Sequence, residues 1–282
     1  MSGLGKERVD AMQWLTHYPT VRDLLARVRE MMAVLTDPAL AFPHGEIYDL
    51  REALSRIRIE GLFMDEAELF SLRKMLDYAG QLERFFATLD RVKYPLLSNS
   101  SRSEHPISNN FINSVCHAID KIIDRYGKMR DNASPELARI RKEIAASQGS
   151  VSRALNAILR QAQAEGILEK DAAPTMREGR LVLPVPPAYK RKIGGIVHDE
   201  SATGKTVFIE PQQVVEANNR IRELEGEERR ERIRILMAIT TEIRPEIPAI
   251  IATEDYLAEV DFLCAKALFA LDIHAIVPEV NN

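Results

Sequence analysis

The chain has 282 residues, 45% of them hydrophobic and 28% charged, with a net charge of −4, which excludes a globally basic nucleic-acid binder and an unfolded polyelectrolyte. No run of about 18 apolar residues and no basic-then-apolar leader is present, so nothing in it reads as a membrane anchor or an export signal. Its two cysteines, Cys116 and Cys264, lie far apart in apolar helical contexts and its histidines (His17, His44, His105, His117, His198, His274) are scattered, the pattern of a reduced, cytoplasmic protein without a metal site.

The first third is helical by periodicity. Thr20 with Asp23 predicts a capped helix whose apolar positions Val21, Leu24, Leu25, Val28, Met31, Met32 and Leu35 recur at three and four, stopped by Asp37-Pro38. A second amphipathic run, Ile47, Leu50, Leu54 and Ile57, ends at Gly61. Asp65 with Glu68 caps a third, which carries Leu69, Leu72, Leu76, Leu82, Phe85, Phe86 and Leu89. Methionine and phenylalanine at this spacing pack neighbouring helices. Residues 98–103 read as a polar break, continued by 108–110, before a helix over 111–126.

Ser134-Pro135-Glu136 supplies a cap, a proline at the first helical position and an acid facing the positive end of the dipole. Leu137, Ile140, Ile144, Ser147, Val151, Leu155, Ile158 and Ala162 then follow at intervals of three and four, the alternation of a coiled-coil seam. One helix of about 30 residues spans about 45 Å; Gly166 and Pro174 end it. After residues 176–211 a second long run returns through Val214, Ala217, Ile221, Leu224, Ile235, Ile239 and Ile243. Residues 225–232 carry no apolar side chain, so these turns are expected to face solvent, with Gly226 favouring a bend. Residues 248–271 are expected to pack back onto the first third, and the acids Glu254, Asp255, Glu259 and Asp261 make that end unattractive to nucleic acid. After the extended Ile276-Val277-Pro278 the sequence stops at Asn281-Asn282, and it reads as a piece of a longer protein.

Residues 176–211 differ in kind. Here helical periodicity gives way to β-branched, period-two runs at 180–185, 193–198 and 206–209, punctuated by Pro184, Pro186, Pro187, Gly194, Gly195 and Gly204. Between positions 177 and 205 six basic residues (Arg177, Arg180, Lys190, Arg191, Lys192, Lys205) face three acids (Glu178, Asp199, Glu200), a local balance of +3. A local basic surface of this kind suits contact with a polyanion. Gly204-Lys205-Thr206 resembles the end of a phosphate-binding loop, but the motif needs a glycine where Asp199 stands, and a helix rather than a strand after it. His198, Asp199, Glu200 and Ser201 are contiguous, whereas nucleophile and base usually converge from separate segments, so they read as groups that satisfy turn backbone or fix the sheet to the helices.

The stretch from Ile193-Gly194-Gly195 through His198-Asp199-Glu200-Ser201 and Gly204 to Val207-Phe208-Ile209-Glu210-Pro211, and on to Asn218-Asn219, resembles the signature of the second MutS family. That is the branch linked to suppression of homologous recombination and to rescue of collided ribosomes. Gly5-Lys6-Glu7, Gly61-Leu62 with Glu68-Leu69, and Leu257-Ala258-Glu259-Val260-Asp261-Phe262 with Ala265 support the likeness. It covers nearly the whole chain as a core, lever and clamp region. The resemblance implies that the Walker A and B motifs, with their ATP and Mg, and the small MutS-related nuclease module lie beyond Asn282, and that a short helix precedes this stretch. This part would then be non-catalytic and hold no cofactor.

The expected fold is mainly α, an elongated helical core with a long antiparallel coiled-coil lever interrupted by a small β-rich module. Residues 1–133 form a helical core, 134–175 an outgoing lever helix, 176–211 the clamp-like module, 212–244 a returning helix and 245–282 further core. Arg180, Lys190, Arg191, Lys192 and Lys205 are the candidate nucleic-acid contacts, and Gly194, Gly195, His198, Asp199, Ser201, Gly204, Glu210, Pro211, Asn218 and Asn219 the signature residues. The expected partners are branched or duplex DNA through phosphate contacts, or a ribosome and its RNA, with a second copy of the chain in the full-length protein and no membrane.

Overall fold

A computed structural model describes residues 1–103 and 109–278; His105, Ser108, Asn281 and Asn282 lie outside the described residues. In chain order come α1 (Gly3–Asp10), α2 (Tyr18–Thr36), α3 (Arg51–Arg56), α4 (Glu66–Thr88), α5 (Pro95–Ser103), α6 (Asn109–Ile122) and α7 (Pro135–Ala164). The strands β1 (Thr175–Arg177) and β2 (Arg180–Val185), the single turn α8 (Lys190–Ile193), and β3 (Gly195–Glu200) and β4 (Val207–Pro211) follow. Two long helices complete it, α9 (Gln212–Ile243) and α10 (Ile247–Asp272). The chain divides into two units, one of Met1–Arg130 with Ile235–Asn282, the other Asp131–Arg234.

The first unit is a helical core. The capping box at α4 forms as its sequence dictates, with Glu68 N–H donating to Asp65 Oδ1 at 2.8 Å and Asp65 N–H to Glu68 Oε2 at 2.9 Å. Leu69, Leu72, Leu76 and Leu82 are fully buried, with Met31 and Val34 of α2 and Ile250 and Leu257 of α10. The residues 248–271 thus do pack back onto the first third. Three expectations fail. α2 begins at Tyr18, two residues before Thr20, and Asp23 pairs with Arg27 at 3.0 Å instead of capping. The supposed polar break at 98–103 is the body of α5, whose first amides, Leu96 and Leu97 N–H, donate to Glu30 of α2. That cap comes from a distant segment, so no local pattern announces the helix. The run at 47–57 yields only the six residues of α3.

The second unit joins two antiparallel helical stretches to a four-stranded antiparallel sheet of order β1-β2-β4-β3. Ser134 caps α7, its Oγ accepting Leu137 N–H at 2.9 Å, and the seam residues Leu137, Ile140, Val151, Leu155 and Ala162 are buried. The distal part of this seam shares one core with Leu183 and Val185 of β2, Val207 and Ile209 of β4, and Val214 and Ile221 of α9. The charged stretch 225–232 departs from expectation. Glu231 is buried, accepting Ser134 Oγ–H at 2.6 Å, while Arg141 meets Glu228 at 2.8 Å and Arg139 meets Glu227 at 3.6 Å; just before the stretch, Arg220 meets Glu143 at 3.2 Å. Opposite charges on α7 explain how a stretch without apolar side chains still packs, and α9 stays helical through Gly226.

Within the sheet, β2 has the predicted bounds, and β1 is a strand that the sequence pattern does not predict. The pair closes through Glu178 and Gly179, both with positive φ (49° and 72°), the geometry of a type I′ hairpin turn. Arg222 of α9 donates to the Glu178 carbonyl and pins that turn. β3 begins two residues later than predicted because Lys190–Ile193 curl into a helical turn first.

Candidate nucleic-acid interface

Glu210 organises the module. It stands on β4 between two buried neighbours and is itself fully buried, so its charge must be met from within. Arg180 Nη1 on β2 donates to its Oε1 at 2.7 Å, Asn218 Nδ2 on α9 donates to the same oxygen at 2.7 Å, and His198 Nε2 on β3 lies 2.6 Å from Oε2. Burial raises the carboxyl's pKa, but the hydrogen bonds from Asn218, His198 and Arg180 outweigh it and hold it below the ordinary carboxylate value. Arg180 also donates from Nη2 to Asn219 Oδ1 at 2.7 Å. Three strands and one helix therefore meet on a single carboxylate.

The backbone sets this geometry. A bulge between Val197 and Asp199 breaks the β3–β4 register at His198, which re-aims that side chain toward Glu210. Gly195 pairs with Pro211 at φ 134°, and a Cβ placed there would come 2.0 Å from the Glu210 carbonyl oxygen, so no larger residue fits. Ser201 works inside the β3–β4 turn, its Oγ accepting Thr206 N–H at 3.0 Å, with Gly204 N–H donating to its carbonyl at 2.8 Å. Gly204-Lys205-Thr206 thus leads into a strand and lacks the helix N-terminus that cradles phosphate. Among the described residues no three His, Cys, Asp or Glu side chains converge as metal ligands.

The predicted basic contacts separate into two groups. Arg180 is 13% exposed and fully engaged by Glu210 and Asn219. Arg177 pairs with Asp199 at 3.1 Å and stacks 4.1 Å over the Phe208 ring, and Lys192 meets Glu165 at 3.2 Å. Lys190, Arg191 and Lys205 are exposed and make no ion pair among the described residues. The first two share the turn α8 with Lys192. Lys205 stands in the turn at the far end of β3, about 20 Å from α8 at ~3.3 Å per residue. The module therefore neutralises Arg177, Arg180 and Lys192 and leaves Lys190, Arg191 and Lys205 uncompensated. That sorting is invisible in the charge count, since Arg180 and Arg191 look alike in the sequence.

No family model matches the chain. In sequence it is similar to proteins named Endonuclease MutS2. It is 34% identical over 283 residues to that of Geobacillus sp. (strain WCH70), covering 100% of this chain and 35% of the relative. To that of Halalkalibacterium halodurans it is 34% identical over 284 residues, again 100% of this chain and 35% of the relative. To that of Gemmatimonas aurantiaca it is 36% identical over 247 residues, 88% of this chain and 30% of the relative. The chain spans about a third of the length of the curated relatives it matches.

Proposed function

The chain belongs to the MutS2 family, as a region about a third the length of its relatives, and on that premise we propose that its second unit is a non-catalytic clamp on nucleic-acid phosphates. The observation that supports this is the contrast within one small module: Arg177, Arg180 and Lys192 are neutralised by Asp199, Glu210 and Glu165, whereas Lys190, Arg191 and Lys205 are not. Exposed, uncompensated cations on a helical turn and at a strand end reach phosphate oxygens without reading bases. The partner is branched or duplex DNA, gripped without sequence preference, and the role is the suppression of homologous recombination that the family resemblance implies. Nuclease and ATPase action, with its ATP and Mg, belongs in this reading to other parts of a MutS2 protein, to which this region would transmit its grip.

Binding of the chain to labelled four-way-junction and duplex DNA across a salt series tests the proposal. Lys190→Glu, Arg191→Glu and Lys205→Glu together should weaken binding and flatten the log–log salt slope by about 3, at roughly 0.9 for each phosphate no longer neutralised. A wild type that binds neither DNA at low salt, or a triple variant with an unchanged slope, overturns it. Co-sedimentation with ribosomes by the same wild type would then reassign the uncompensated cations to ribosomal RNA.

A further inference from the structure

In the first unit, Glu254 of α10 is 2% exposed. Its Oε1 accepts Leu50 N–H, at the start of α3, at 2.8 Å, and no protein group donates to its buried Oε2. The side chain lines a cavity of about 70 Å³ with Leu4 and Arg8 of α1 and Arg51 of α3. Asp49, whose carboxylate accepts from Arg51, immediately precedes Leu50.

The cations around Glu254 and Asp49 are already committed. Arg51 donates to Asp49 and, at 2.7 Å, to Glu7 of α1, and Arg8 meets Asp255 at 2.9 Å and Glu259 at 3.2 Å. A second carboxylate charge beside Asp49 would therefore be buried, repelled and unpaired.

We propose that Glu254 keeps its proton in the folded chain, and that its release loosens the seating on α10 of the start of α3 and of α1, which share the cavity wall with it. Burial, with the Asp49 charge adding to it and the Leu50 hydrogen bond opposing it, pushes the Glu254 carboxyl up to about 7 from 4.5. An acid whose folded value lies above its unfolded one contributes stability that is complete below 4.5 and is lost as pH rises through about 7. α1 lines the same cavity through Leu4 and Arg8, and its polar ties to α10 are Ser2 N–H and Oγ to Asp261 at 2.6 and 2.7 Å and Arg8 to Asp255 and Glu259.

Side-chain carbon NMR of Glu254 and hydrogen exchange of residues 3–10 and 50–56, from pH 5 to 8.5, test this on the whole chain. The carboxyl should titrate near neutrality, and protection corrected for intrinsic exchange should fall by up to about tenfold per pH unit up to about pH 7 and level off above it. Glu254→Gln, which keeps the acceptor for Leu50 and carries no titrating proton, should abolish that dependence. Asp49→Asn should move the transition to lower pH. Titration of Glu254 in the ordinary carboxylate range, or a Glu254→Gln chain that keeps the wild-type pH dependence, would overturn the proposal.

Discussion

Replacing Glu210 by glutamine isolates the joint that holds the β module together. The side chain keeps its size and one carbonyl oxygen, but the charge is gone and an amide N–H₂ now faces donors. Arg180, 13% exposed, is left without a counter-charge, and the amide keeps Arg180 and Asn218 on its oxygen only by turning its N–H₂ toward His198 Nε2, which must then accept. Removing one partner of a buried pair costs about 3–5 kcal/mol, and hydrogen bonds to charged groups contribute about 1.5–3 kcal/mol each. Since glutamine retains one acceptor, the lower end, about 3 kcal/mol, is expected. At ~1.36 kcal/mol per decade this is a loss of about 150-fold in amide protection across β2, β3 and β4. Hydrogen exchange is the assay of choice because it reads the sheet directly, whereas the single tryptophan, Trp14, lies in the other unit and is fully exposed. Adding Arg180→Met should recover part of the loss, because the stranded guanidinium is then removed. A decrease in protection below about fivefold, or no recovery in the double variant, would refute the view that this carboxylate carries the joint.

Gly195→Ala should cost at least about 2 kcal/mol, since the added carbon collides with the Glu210 carbonyl and the position has positive φ; loss of protection confined to β3 and β4 would show it. Ser134→Ala removes both the α7 cap and a donor to buried Glu231, a combined loss of about 2 kcal/mol in chemical denaturation. The Glu231 carboxyl, held down to about 2 by Arg234 against burial with help from Ser134, should then titrate higher by NMR. Its folded value lies below the unfolded 4.5, so the stability it contributes is present above that pH and lost on acidification, less so in the variant. Thr240→Val strands the buried Met64 N–H, which donates to Thr240 Oγ1 at 3.0 Å, and should destabilise the first unit by about 1–3 kcal/mol in thermal melts.

Long, strongly periodic segments were legible from residues alone. The seam of α7 and its Ser134-Pro135 start, the α4 capping box and the bounds of β2 all follow from local pattern, and the structure contains each. What local pattern does not reveal depends on partners far away in the chain. α5 has a polar composition and takes its cap from Glu30, more than 60 residues earlier. β1 is three residues long and exists because β2 is there to pair with it. Glu231 looked solvated in a run of charges and is buried because Ser134 and Arg234 meet it. Likewise Arg180 counted as one more surface cation until Glu210, Asn218 and Asn219 converged on the same spot. The bulge at His198 leaves no trace in composition, and only the family signature marked these residues as a set.

The charges between α7 and α9 do more than cover a stretch that lacks apolar side chains. A leucine seam with near-equal steps tolerates sliding by one turn, about 5.4 Å, because one apolar knob replaces another. The pairs Arg141–Glu228 and Glu143–Arg220 do not. Advance α9 by four residues and Arg141 confronts Arg232; retreat by four and Glu143 confronts Glu216. Either slip sets one pair to repulsion and brings the other charge against Leu224, so the charges mark out one alignment that the apolar seam alone does not.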